Sequence, residues 1–195
     1  MILTIDFETT GLPDFNARAR DPKQPHIVQL AMIATDNDGT EHEPYNVIVK
    51  PDGWTIPKEA SAVHGITDEI AANGRPESEV AAHLLACMRK ADVLVAHNVT
   101  FDKFIARIAM RRYDLIQDSD DAWWKSFPTF CTMRMMTPVC KIRGEYGYKW
   151  PKLQEAYQHV FGCQFDKAHD ALADVRACAK VYRWFCERSV KEAAL

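Results

Sequence analysis

The chain opens on Ile2-Leu3-Thr4-Ile5-Asp6-Phe7-Glu8 and runs into Thr9-Thr10-Gly11-Leu12-Pro13. Residues 1–7 read as a short buried strand, and the second stretch is a cluster of turn formers. Side chains two apart on a strand share a face. Asp6 and Glu8 therefore project together, while Ile5 and Phe7 pack on the opposite side. Neighbouring carboxylates repel one another unless a cation or a shared proton compensates. Hard divalent cations favour such oxygen ligands. By itself the pair is a weak signal, because a strand-end Asp6 and a solvated Glu8 would explain it without any chemistry.

Working outward, Ile27 to Thr35 reads as a second apolar strand, and Asp36-Asn37-Asp38-Gly39 is a hairpin turn signal. Tyr45 to Val49 alternates as a third strand, ended by Pro51-Asp52-Gly53, so the first three strands form a meander. The intervening residues 14–26 are polar, basic and proline-containing, and read as a loop. Pro57 to Val63 predicts a short helix stopped by His64-Gly65, and Thr67 with Glu69 starts another. Pro76 to Lys90 carries apolar residues at helical spacing. Val93 to Ala96 is a compact strand, followed by a helix from about Phe101 to Arg112. Residues 113–129 read as an irregular surface segment, and Phe130 to Val139 as a short strand or turn leading into a helix. Lys141 to Pro151 reads as a loop and Leu153 to Phe161 as a helix. The last helix is expected from about Ala168 to Glu187, with Ala171, Leu172, Val175, Cys178, Ala179 and Tyr182 inward. A meander followed by alternating helices and strands predicts an α/β fold layered around a mixed sheet.

A length of 195 residues fits one domain with a sizeable core, and 47% hydrophobic with 26% charged residues is ordinary for a globular chain. The apolar runs are too short to span a bilayer, so no membrane association is expected. The start lacks a basic leader region and meets a carboxylate at once; it does not read as a signal peptide, and a cytoplasmic setting is expected. The six cysteines contain no C-x-x-C pair, which argues against a zinc ribbon and for mostly buried, reduced thiols. The net charge of −3 speaks against tight, non-specific duplex binding. It does not speak against a nuclease, whose acidic centre lowers the formal charge while bound cations restore positive charge at the phosphate.

Two later segments carry further acids. In Ala96-His97-Asn98-Val99-Thr100-Phe101-Asp102 a buried strand delivers a polar loop, the place where open α/β sheets set their ligands. Alone, Asp102 reads better as a helix cap favoured by the dipole, and Asn98 as a residue that holds the loop. In His169-Asp170-Ala171-Leu172-Ala173-Asp174 the histidine has the ordinary pKa of a base acting near neutral pH. Asp170 and Asp174, four apart, share a helix face. Capping by His169 and Asp170 with a solvated Asp174 is an equal alternative at this point.

These three segments, in this order, resemble those of the DnaQ-like 3′→5′ exonucleases of the DEDDh type, in the ribonuclease H-like superfamily. The resemblance runs from Ile2 to about Phe185, and Ala62-Val63-His64-Gly65-Ile66-Thr67 is similar to a stretch that this family sets beside the substrate strand. It implies a five-stranded mixed sheet, an antiparallel meander then parallel strands, flanked by helices, with the whole chain one exonuclease domain. It also implies that Asp6, Glu8, Asp102 and Asp174 hold two Mg²⁺ or Mn²⁺ ions and that His169 deprotonates the attacking water. Further implied are a nucleic-acid partner with a free 3′ end, nucleoside 5′-monophosphate products, and substrate contacts from Thr9, Thr10, Gly11, Leu12, His64, Asn98 and Phe101.

Some features depart from that pattern. The loop of residues 14–26 is long, and its arginines could grip a phosphate backbone or simply be solvated. Trp123, Trp124, Tyr146, Tyr148 and Trp150 lie in a stretch that matches nothing; packing is favoured for them over base stacking. Gln29 stands where many relatives carry an acid, and His26, His42, His83 and His159 read as structural or surface residues. A phosphatase with an aspartyl nucleophile would need a second aspartate where Glu8 stands and would leave His169 idle. A non-catalytic binding module would not keep all five residues. With only Ser189 to Leu195 after the expected last helix, a free-standing nuclease, or one recruited through its own surface to a polymerase or another replication or repair protein, fits better than a proofreading subunit tied to a polymerase. Single-stranded DNA or DNA ends are favoured over RNA trimming or short-RNA degradation, which use the same five residues.

Overall fold

The computed structural model describes residues 1–166 and 170–193. The elements run β1 (Ile2–Thr9), β2 (Ile27–Thr35), β3 (Tyr45–Lys50), α1 (Lys58–His64), α2 (Asp68–Ala71), β4 (Arg75–Pro76), α3 (Glu77–Met88), β5 (Val93–Ala96) and α4 (Val99–Arg112). There follow α5 (Asp121–Ser126), β6 (Thr129–Cys131), α6 (Thr132–Cys140), β7 (Arg143–Gly144), β8 (Gly147–Tyr148), α7 (Leu153–Phe161) and α8 (Ala171–Ala193). The main sheet has the order β4-β3-β2-β1-β5-β6. β1, β2 and β3 form the antiparallel meander, and β5 and β6 join β1 in parallel. The five expected strands are thus present, and the two-residue β4 adds an edge beside β3.

Alternation along β1 divides the molecule into layers. Leu3, Ile5 and Phe7 point into the main core, with Val80, Leu84 and Met88 of α3 and Ile105 and Ile108 of α4. On the other face Ala31 and Ile33 of β2 pack beneath Ala171 and Val175 of α8. The small alanines let the helix lie close to the sheet. Met136, Ala156, Tyr157, Ala177 and Val181 tie α6, α7 and α8 together beside it.

The expectations for the meander, the short helices and the α7 region agree with these bounds to within a few residues. Residues 113–129 do not form the irregular surface segment expected. Arg107 and Arg111 project from α4 one turn apart and grip Asp121, at 2.6 and 2.7 Å, and Arg111 also holds Asp118 at 2.7 Å. These ion pairs fold the chain back onto α4 and bury Ile116, Trp124 and Phe127 in the main core. A helix of six residues is too short to leave a readable period. Residues 141–151 are likewise not plain loop: Arg143 pairs across from Tyr148 in a small hairpin. α8 continues to Ala193, beyond the expected end at Glu187. Of the six cysteines only Cys131 and Cys178 are buried, and Cys163 is exposed; none pairs with another. No helix among the described residues is long and apolar enough to cross a membrane.

One buried acid staples the long loop to the core. Glu77 accepts from the Ile27 amide (2.9 Å), His26 Nδ1 (2.7 Å), Arg112 Nη1 (3.0 Å) and the Tyr113 hydroxyl (2.9 Å). Burial alone would raise its pKa, but the His26, Arg112 and Ile27 interactions together hold it below the ordinary value. Arg112 Nη2 also donates to the Gln24 and Pro25 carbonyls, both at 2.9 Å. Removing one partner of such a buried pair strands the other charge. Glu77→Ala is therefore expected to cost about 3 kcal/mol in urea unfolding, and a loss under ~1 kcal/mol would show that the staple is incidental.

Candidate active site

The site grows from the overhang of β1 past its parallel neighbour. Pairing with β5 ends at Thr4 opposite Val95, whereas pairing with β2 continues through Asp6 opposite Ala31 and Glu8 opposite Gln29. The edge beyond Thr4 is therefore open on the β5 side, and Asp102 of α4 turns into it. α4 starts after Asn98, which takes a left-handed backbone (φ 82°, ψ 53°) that an asparagine side chain tolerates better than most. Asn98 is the residue before the helix, but its side chain makes no capping bond. Nor does Asp102 act as the cap: it is buried within the helix, 3% exposed.

Burial raises the pKa of Asp102 well above the ordinary range. The Phe7 and Asp102 amides offset part of that rise, and Glu8 adds to it. Asp6 is raised well above the ordinary range by burial, then by Asp102, Asp174 and Glu8. Glu8 is pushed up to about 7 by burial and then by Asp174. The charged groups that shift Asp6, Glu8 and Asp102 are thus one another and Asp174. α8 brings Asp174 there by laying Val175 on the sheet. Asp170, by contrast, caps this helix: its Oδ1 accepts the Ala173 amide at 3.0 Å. Of the two readings of this segment, capping by Asp170 is the one the structure bears out, while Asp174 lies near enough to Asp6 and Glu8 to shift them. His169 lies outside the described residues.

Among the described residues, no lysine or arginine is among the groups that shift Asp6, Glu8 or Asp102; crowded like-charged oxygen donors of this kind are the donor chemistry a divalent cation suits. They are not a ready-made cage, since among the described residues no three histidine, cysteine or acidic side chains already stand where they could hold one ion.

The turn after Glu8 is fixed to the loop that Glu77 staples. A bulge separates Glu8 from Thr9. Thr10 then donates its amide to the His26 carbonyl (3.0 Å) and accepts the His26 amide on Oγ1 (2.9 Å). Gly11 and Leu12 protrude, Leu12 with 87% of its surface exposed. His64, at the end of α1, is half-buried beside the backbone of Thr9. Its Nδ1 accepts the Ile66 amide at 3.1 Å; its Nε2 is buried and meets no partner at hydrogen-bond geometry among the described residues, although the Thr9 backbone interacts with the ring. Burial lowers its pKa, so the ring is neutral and that nitrogen carries the hydrogen. Phe101 is half-buried against the main core at the start of α4.

Behind the acids lies a layer the sequence does not announce. Burial also lowers His97, so its ring is neutral. Nε2 can then only donate to the Pro151 carbonyl (2.9 Å), which leaves Nδ1 to accept the Thr132 hydroxyl (2.9 Å). Thr132 also lies 3.5 Å from the Cys178 thiol, which burial, and after it Asp6 and Asp102, keep protonated. A separate cleft of about 920 Å³ between α8 and the β2 turn includes Thr4 and Arg183 but none of the expected site residues.

The profile of a family described as Exonuclease matches residues 3–182. An exonuclease of Escherichia phage 186 is 30% identical over 173 residues, 88% of this chain and 81% of that protein. A PolC-type DNA polymerase III of Thermotoga petrophila is 28% identical over 189 residues, 97% of this chain and only 12% of the polymerase. Exonuclease I of E. coli, in complex with a dT13 oligonucleotide, superposes with a TM-score of 0.76 at 22% identity, over 99% of this chain and 42% of that one. The chain thus spans a small part of the polymerase and less than half of exonuclease I.

Raised carboxyl pKa values have a consequence for stability. Glu8 keeps its proton to about pH 7 in the fold, whereas in the unfolded chain it loses it at the lower, ordinary value. The folded state then binds more protons, so the stability of the metal-free protein falls as pH rises through that window. In chelator the melting temperature is expected to be higher at pH 5 than at pH 8, and Asp6→Asn should raise the pH 8 value by a few degrees. A lower melting temperature for Asp6→Asn at pH 8 would contradict the mutual repulsion.

Proposed function

Since this chain belongs to the exonuclease family, as a DnaQ-like member of the ribonuclease H-like superfamily, we propose that it removes nucleotides one at a time from the 3′-hydroxyl end of single-stranded DNA or DNA ends. The observation that carries this is the convergence of Asp6, Glu8, Asp102 and Asp174, three of whose pKa values are raised by burial and by one another.

The same four carboxylates are proposed to hold two divalent cations, Mg²⁺ or Mn²⁺, in the DEDDh manner. Such ions, when bound, would neutralise charge on the reacting phosphate and favour ionisation of the attacking water. His169, directly before the Asp170 cap, is assigned to take the proton from that water. The turn Thr9-Thr10-Gly11-Leu12 presents exposed backbone and the Leu12 side chain to the terminal nucleotide. His64, at the end of α1 beside the Thr9 backbone, is assigned to the same side of the terminal nucleotide. Asn98, directly before α4, and Phe101, in its first turn, are assigned as further contacts to the substrate. The products would be nucleoside 5′-monophosphates.

Exonuclease I with its bound dT13 supports a DNA strand as substrate. The match inside PolC-type polymerases supports a second reading, in which this domain proofreads for a polymerase.

With 5′-labelled single-stranded DNA and Mg²⁺ or Mn²⁺, the protein is expected to give a ladder shortening from the 3′ end, abolished by chelator and by Asp6→Ala. Endonucleolytic bands, or full activity of Asp6→Ala, would overturn the reading; faster loss of a matched RNA strand would move the substrate to RNA. His169→Ala is expected to slow single-turnover cleavage by about 10²–10⁴-fold while still binding Mn²⁺. An unchanged rate would assign the base elsewhere.

A further inference from the structure

Among the described residues, the hairpin of β7 and β8 and the residues just after it carry three exposed aromatic side chains. Tyr146 at its tip is 94% exposed, Tyr148 52% and Trp150 64%. Rings of this size are seldom left in water without a use. The hairpin's geometry shows that they are presented outward. Arg143 lies directly opposite Tyr148, so the two share a face. The Lys149 amide donates to the Ile142 carbonyl at 2.9 Å, which extends the ladder by one step. By alternation Lys149 then points to the other face, where its ammonium meets Glu155 of α7 at 2.6 Å. The face that bears Lys149 is held against α7, and the face that bears Arg143, Tyr148 and, one step further, Trp150 is turned away from it.

The root of the hairpin is fixed to the site. Pro151, next to Trp150, accepts from His97, which sits at the end of β5 in the loop that leads to Asn98 and Asp102. β1, β5 and β6 run parallel, so this root stands at the end of the sheet that carries Asp6 and Glu8. The local charge is also distinctive. Residues 141–152 hold Lys141, Arg143, Lys149 and Lys152 against one acid, Glu145, in a chain of net charge −3.

Exposed rings interleaved with cations suit a flexible polyanion with flat faces: bases stack on the rings and phosphates meet the cations. We propose that this hairpin is a stacking platform for the single-stranded stretch of nucleic acid that trails behind the 3′ end in the active site. The proposal rests on the exonuclease reading and adds to it a length-dependent binding surface.

The test measures binding in chelator, where no hydrolysis competes. Fluorescence anisotropy would compare a labelled oligothymidylate of twenty nucleotides with one of three. The native chain is expected to bind the longer strand more tightly. The double variant Tyr148→Ala/Trp150→Ala should weaken that binding ~10- to 100-fold and bring the two lengths together. The double variant Tyr148→Phe/Trp150→Phe keeps the rings and should retain most of the preference; equal melting temperatures for the two variants would exclude misfolding. Equal binding by the native chain and the alanine variant, including no binding by either, overturns the platform, as does a face that engages only proteins. Failure of the exonuclease reading would instead appear as intact oligonucleotide in Mg²⁺ and Mn²⁺, whatever the anisotropy shows.

Discussion

Repulsion among Asp6, Glu8, Asp102 and Asp174 is the constraint to which the rest of the structure answers. Burying carboxylates together is unfavourable twice over: each loses water, and each meets the field of the others. The pKa values of Asp6, Glu8 and Asp102 rise for both reasons. Such an arrangement persists only if the surrounding packing is strong enough to impose it. Here the packing comes from both faces of β1, with the main core behind Leu3, Ile5 and Phe7 and α8 pressed onto Ala31 and Ile33.

The supporting parts each hold one member of the group. The short pairing of β1 with β5 leaves an open edge for Asp102. The left-handed Asn98 sets the direction in which α4 departs. The Asp170 cap fixes the first turn of α8, one turn before Asp174. Glu77 has no part in the acidic group, yet it determines where the loop of residues 14–26 returns to the sheet, and through His26 it places Thr10. His97 joins the second acidic segment to Pro151 and so to the aromatic hairpin.

What the sequence makes legible follows from the range of each interaction. The shared face of Asp6 and Glu8 is readable because strand alternation is local and has one outcome. The meander is readable because β-branched runs and the Asp-Gly turn are local signals. The approach of Asp174 to Asp6 and Glu8 is not readable locally, since it depends on α8 crossing the sheet; only the order of the three acidic segments, as a family resemblance, points to it. Asp102 reads as a cap in isolation because a helical first-turn acid is ordinary, and only the missing edge partner of β1 shows otherwise. Glu77, Thr132 and Cys178 carry no pattern, as each is defined by partners distant in sequence. The burial of Trp124 is hidden for the same reason: Asp118 and Asp121 look like solvated surface until Arg107 and Arg111 are known to face them.

The central claim is that these acids form one site that gives up protons to accept divalent cations. Titration calorimetry with Mn²⁺ near pH 7, repeated in buffers of different ionisation enthalpy, measures the protons released per ion bound. The account predicts net proton release on binding, because Glu8 titrates at about 7 and Asp6 and Asp102 are also raised. It further predicts that Asp6→Ala loses most of the binding. Mn²⁺ binding without proton release, or with the same affinity in Asp6→Ala, would contradict it.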